Sequence, residues 1–214
     1  MHRRRTHWRV QAVAMLLGGG LTTQTASAQR GIELGPYLGV YVPTTSFESA
    51  PILVPIALPA DSRHDAALLL GAEAIFWLGG GLGIAADWGV SASKVRTTSG
   101  GVDMTLSAKV NAGTLRLLVP LRVPSLHNRV HLDAGVALIH RSGDFYESYR
   151  DKSNVAAVLG IGSELRLAPQ INAHLQLSGY LYSMRLRETD GTEFKSSFQT
   201  DILARAGLAW APTF

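Results

Sequence analysis

The sequence predicts an all-β fold, an eight-stranded antiparallel up-and-down transmembrane β-barrel. Four observations carry that reading. Eight segments alternate apolar residues with small or polar ones at a period of two, the pattern of strands lying between two different media. At roughly 11 residues, each suits a tilted crossing of a hydrocarbon layer. The connections between them alternate short and long without a break. Finally, the chain has 22 glycines and no cysteine, so an exported domain must draw its stability from a large core, a closed sheet or a membrane.

A leader comes off first. Arg3, Arg4, Arg5 and Arg9 form a basic start, Val10 to Leu21 contains a short apolar run, and Ala26-Ser27-Ala28 supplies a small-x-small cleavage site. This order predicts a signal peptide over residues 1–28, cleaved near Ala28, with the barrel domain at 29–214. The apolar run is too short and too rich in glycine (Gly18 to Gly20) to span a bilayer as a helix. Of 20 Lys and Arg against 16 Asp and Glu, four arginines lie in the leader, which holds no acid. The mature chain therefore has 16 of each and no net charge. A pI near 9.6 belongs largely to the leader, so the charge balance gives no reason to expect nucleic-acid binding. Beyond it, no run of about 18 uncharged apolar residues predicts a transmembrane helix.

The segments follow in order. Gly31 to Val42 sets Ile32, Leu34, Leu38 and Val40 against Glu33, Tyr37 and Tyr41. Ala66 to Leu78 carries one charge, Glu73, which must face inward. Gly79-Gly80-Gly81 makes a tight turn. Leu82 to Lys94 is the cleanest strand, with Leu82, Ile84, Ala86, Trp88 and Val90 opposite Gly83, Ala85, Asp87, Gly89 and Ser91. Val102 to Val123 changes parity, since Met104 to Ala112 and Leu115 to Leu121 fall on opposite faces. A β-bulge near Gly113 is the expected remedy, and it would bring Arg116 inside. Val130 to His140, Val155 to Leu167 and Ile171 to Tyr182 alternate regularly. The last segment, Phe198 to Phe214, puts Phe198, Ile202, Leu208, Trp210 and Phe214 on one face.

That terminal strand, ending on an aromatic residue in register with Trp210, resembles the C-terminal strand of bacterial outer-membrane β-barrels. The stretch from Glu33 to Pro43 looks like their opening strand. With the leader and the loop alternation, the chain resembles the small eight-stranded superfamily of the OmpA transmembrane domain, OmpX and OmpW. The resemblance implies a place in the outer membrane and both termini in the periplasm. It also implies insertion by the outer-membrane machinery, with Trp210 and Phe214 as part of the signal, and contact with lipids and lipopolysaccharide.

The inward face collects Glu33, Glu73, Asp87, Asp133, Glu164 and Asp201 against Lys109, Arg141, Arg166 and Arg205, with His131 and His174 nearby. Charges enclosed in a narrow barrel must be paired, so the residues predict a salt-bridged plug; the alternative is a narrow or gated pore. His131 with Asp133, and His174 with Gln176, offer two ligands each, short of a metal site, and no cofactor is expected. His140, Ser142, Asp144 and Glu147 are loosely similar to the serine and histidine of outer-membrane lipid A deacylases. Loop chemistry is the simpler reading, and no enzyme is expected. The loop from Pro43 to Asp65 contains an apolar run, Ala50 to Ala60, suited to packing on the rim or to admitting a small hydrophobic ligand.

Overall fold

The computed structural model describes residues 31–49, 60–99, 102–121 and 129–212. The expected leader, the apolar run at 50–59 and Phe214 lie outside them. Among the described residues there are ten strands: β1 (Gly31–Pro43), β2 (Phe47–Ser49), β3 (Ala60–His64), β4 (Ala67–Gly79), β5 (Leu82–Ser99), β6 (Val102–Leu121), β7 (Arg129–Ser142), β8 (Ser153–Ala168), β9 (Ile171–Met184) and β10 (Ser197–Trp210). Eight of them form a closed antiparallel ring in the order β1-β4-β5-β6-β7-β8-β9-β10, with β10 pairing back onto β1. β2 and β3 pair with each other, and β3 pairs with the far end of β5.

The tight turn after β4 uses Gly80 and Gly81, both at positive φ (65° and 84°). Two such residues match the right-handed twist of a two-residue hairpin. Around the ring, Leu38, Leu70, Trp88, Leu117, Val136, Leu159, Leu175 and Leu208 stand exposed on the outside. A continuous apolar belt on a closed barrel is a surface for hydrocarbon.

β6 corrects one expectation. It pairs with β5 from Gly83↔Leu118 to Ser99↔Val102, and with β7 over its lower two thirds, without any slip. No bulge forms at Gly113. Instead the polarity of the two faces reverses along the strand. Thr114, Arg116 and Leu118 point inward at the lower end, with Leu115, Leu117 and Leu121 outward; higher up, Ala108, Val110 and Ala112 point inward while Ser107 and Lys109 are outward. The strand has left the membrane there, so its outer face meets water and its inner face is a core.

A slip does occur between β3 and β4. Leu69 pairs with Ser91 and His64 with Val95, so the β3–β4 side uses one residue more than β5. The extra residue flips the facing, as a bulge does. β3 thus extends β4 above the membrane. The connection after the third segment was expected to be a long loop, but β5 and β6 stay paired to their tips.

Candidate functional site

The lumen is the site, and it has two storeys. At the lower end, Glu33 of β1 accepts from the Trp77 indole (2.6 Å) and meets His174 Nε2 at 2.9 Å. Arg129 stacks over Trp77, 4.7 Å from the ring centroid, and pairs with Glu164 at 3.1 Å. Above them, the fully buried Arg116 reaches three carboxylates on three strands: Glu73 (2.5 Å), Asp87 (2.9 Å) and Asp133 (3.2 Å). Arg205, from β10, shares two of them, Glu73 at 2.6 Å and Asp87 at 3.1 Å. Gln176 donates to Asp133, and Thr114 and Tyr37 donate to Asp87. Each carboxylate therefore has several partners, the condition for enclosing charge in a poor solvent.

Glycines make room for the large groups. A Cβ on Gly71 would lie 2.2 Å from Tyr37 Cζ, and one on Gly89 would lie 2.4 Å from its hydroxyl oxygen. Tyr37 is thus laid flat across two bare backbone positions, where Arg205 stacks on its ring at 4.5 Å.

The upper storey is a hydrophobic core. Leu69, Val95, Val110, Ile139, Val158, Tyr180, Met184 and Leu203 pack in one buried cluster with Phe47, Phe145, Tyr146 and Tyr149. The 3-10 turn Asp144–Tyr146 brings Phe145 and Tyr146 over the mouth, where they meet at 4.9 Å, edge to face. Its buried polar groups bond mostly to one another, although Arg141 Nε, Asp201 Oδ1 and Ser91 Oγ have no hydrogen-bond partner among the described residues. Asp201 accepts from Tyr41 (2.9 Å) and Tyr182 (2.6 Å), while Arg141 donates to Tyr182 and Asn154, each at 2.6 Å. His64 of β3 shares a 2.5 Å hydrogen bond with Tyr146. Burial, then the nearby Arg141 charge, pushes the His64 imidazole down to about 3. It is therefore neutral at ordinary pH. Two small cavities, one beside Glu33, Tyr37 and Arg205 and the other beside Tyr41, Tyr180 and Asp201, measure about 10 Å³ each, room for roughly one water apiece.

Of the residues expected inside, Glu33, Glu73, Asp87, His131, Asp133, Glu164, His174, Asp201 and Arg205 all face the lumen. All are buried except Glu73, which is partly so. Two are not there. Lys109 points outward, because β6 keeps one register above the membrane. Arg166 is exposed at the lower rim, where it donates to the backbone oxygens of Ala168 and Pro169 and closes its own turn. The sequence reading had Arg116 inside only through the bulge, and missed it as the hub. A single outward–inward parity carried back from Leu115 puts Arg116 inside without a bulge and Lys109 outside. Trp210 faces outward, half exposed. His140 bonds Ser153 across β7–β8 at 2.9 Å, not Ser142, and Asp144 accepts from Ser107.

Fold, belt and polar lumen together define an eight-stranded outer-membrane β-barrel. Comparison with solved structures gives the same class. The chain is similar to the outer membrane protein OprG from Pseudomonas aeruginosa (11% identity, 87% of this chain and 98% of that one, TM-score 0.61). It is also similar to the outer membrane protein AlkL (12% identity, 91% and 96% covered, TM-score 0.62) and to Neisserial surface protein A (9%, 84% and 96%, TM-score 0.55). At such identities the likeness is one of fold. No family model matches the sequence, and no curated protein matches it.

Proposed function

We propose that this protein is a closed outer-membrane barrel with a structural or surface-interaction role, exported by its first 28 residues and inserted with the help of Trp210 and Phe214. The observation that carries this reading is Arg116, whose side chain is 1% accessible and bridges carboxylates of β4, β5 and β7. A guanidinium held on three sides closes the lumen at mid-height, and the aromatic mouth closes it again above. Passive transport through the lumen would need a path that these two fillings do not leave. The enzyme reading loses support because His140 and Ser142 do not pair with each other. Interaction then falls to the loops, where Arg185, Arg187 and Glu193 form exposed ion pairs.

Proteoliposomes test this. With the mature protein inserted, efflux of small sugars and ions should match that of empty vesicles. Efflux that rises with the amount of protein would make it a channel.

A further inference from the structure

Outside the lumen, the upper end of one face gathers cations. Arg63 on β3, Lys94 and Arg96 on β5 and Lys109 on β6 are all exposed at outward positions. Register makes them neighbours: Arg63 lies directly opposite Arg96, while Lys94 is opposite Ser107, the next outward position along β6 from Lys109. Their height is fixed as well. The row just below Lys109 is Val90, Asn111, His140 and Ser153, and the row below that is Trp88, Gly113, Leu138 and Val155, the top of the apolar belt. Lys109 stands two rows above the top of the belt, Lys94 three, and Arg63 with Arg96 four, so the cations rise from the headgroup level of the outer leaflet into the sugar layer above it.

The arrangement is unfavourable by itself. Like charges directly opposite on paired strands repel, and Arg63 and Arg96 are such a pair. Arg96 has Asp65 at 3.4 Å; Arg63, Lys94 and Lys109 enter no ion pair among the described residues. The other acids nearby lie one row farther from the membrane, where Glu48, Asp61 and Asp103 share a row with Thr98, while Asp144 accepts from Ser107.

We propose that this patch binds the phosphorylated sugar headgroup of an outer-leaflet glycolipid. Two guanidiniums offer forked donors to phosphate oxygens, and two ammonium groups add point charge beside them. A phosphate between Arg63 and Arg96 turns their repulsion into shared attraction. The lipid's acyl chains then lie along Trp88, Leu138 and Val155. This site is independent of whether the lumen conducts.

Native mass spectrometry of the full mature protein in zwitterionic detergent tests the site, with diphosphorylated and monophosphorylated lipid A as probes. The wild type should prefer the diphosphorylated form, with binding that weakens as salt rises. A variant with Arg63→Gln, Lys94→Gln, Arg96→Gln and Lys109→Gln should bind it about tenfold more weakly or worse. Arg63→Gln alone gives a readout that does not depend on the fourfold variant folding. It should unfold at the wild-type temperature or above in lipid-free detergent, and gain less than the wild type from diphosphorylated lipid A. A folded fourfold variant with wild-type affinity overturns the proposal. So does an Arg63→Gln protein that gains as much as the wild type, or equal stabilisation of the wild type by inorganic phosphate at matched concentration.

Discussion

The lower and upper halves of this barrel are built with opposite polarity. In the membrane, the interior holds Arg116, Arg205 and their carboxylates, while Leu115, Leu117 and Trp88 face out. Above it, Val110, Ile139 and Tyr146 fill the interior, while Lys94, Arg96 and Lys109 face out. The difference follows from the solvent. Where lipid already receives the apolar side chains, the lumen is left to polar ones and is closed by charge pairing. Where water surrounds the strands, the interior becomes the only refuge for apolar groups, and burial closes it. One barrel therefore carries two seals of different chemistry.

The sharpest way to break that contrast is Arg116→Ala. It would leave Glu73, Asp87 and Asp133 facing one another with their shared partner gone, a loss of about 3–5 kcal/mol. The folded, heat-resistant gel species should largely disappear at neutral pH. Adding Glu73→Gln and Asp133→Asn, which leaves Asp87 to pair with Arg205, should restore it. The matching change above the membrane, Tyr146→Ala, should cost about 3 kcal/mol yet leave the transmembrane strands intact. Hydrogen exchange should then accelerate in residues 143–150 and in β2 and β3, with the amides of β8 and β9 unchanged. Gly71→Ala should cost less, about 1–3 kcal/mol, by pushing the Tyr37 ring off its seat. Its thermal unfolding should show the loss in the lower half.

Smallest is the pH response of the upper seal. His64 is held at about 3 against an ordinary 6.5, so the unfolded chain takes up its proton first as pH falls. Its contribution is complete above about pH 6.5 and shrinks steadily toward pH 3, by about 1 kcal/mol at pH 5.5. Unfolding followed at pH 7.5 and 5.5 should show this slope in the wild type, and His64→Gln should flatten it.

The membrane half was legible because each strand lies between lipid and a polar lumen, and strict alternation records both media. β5 shows this from Leu82 to Ala92, and the inward acids Glu33, Glu73, Asp87 and Asp133 follow directly. What was misread lies where the outer medium changes. Met104 to Ala112 looks like a second outward stripe only if lipid is assumed outside throughout, and that assumption produced the bulge at Gly113 and the inward Lys109. The polar run Val95 to Ser99 looks like a loop for the same reason. Arg166 has inward parity, but it sits at a rim where its own turn offers carbonyl oxygens. Partner choice was not legible at all. Arg116 finds Glu73, Asp87 and Asp133 through register and lumen width, which no single segment encodes.

The most direct test of the two-seal account is single-channel recording of the mature protein and of Tyr146→Ala in planar bilayers between pH 5 and 8. Both should be silent, because the Arg116 cluster closes the lumen without help from the mouth. Discrete openings in Tyr146→Ala alone would mean that the charge cluster is no seal. Openings in the wild type that change with pH would mean that the lumen charges form a gate.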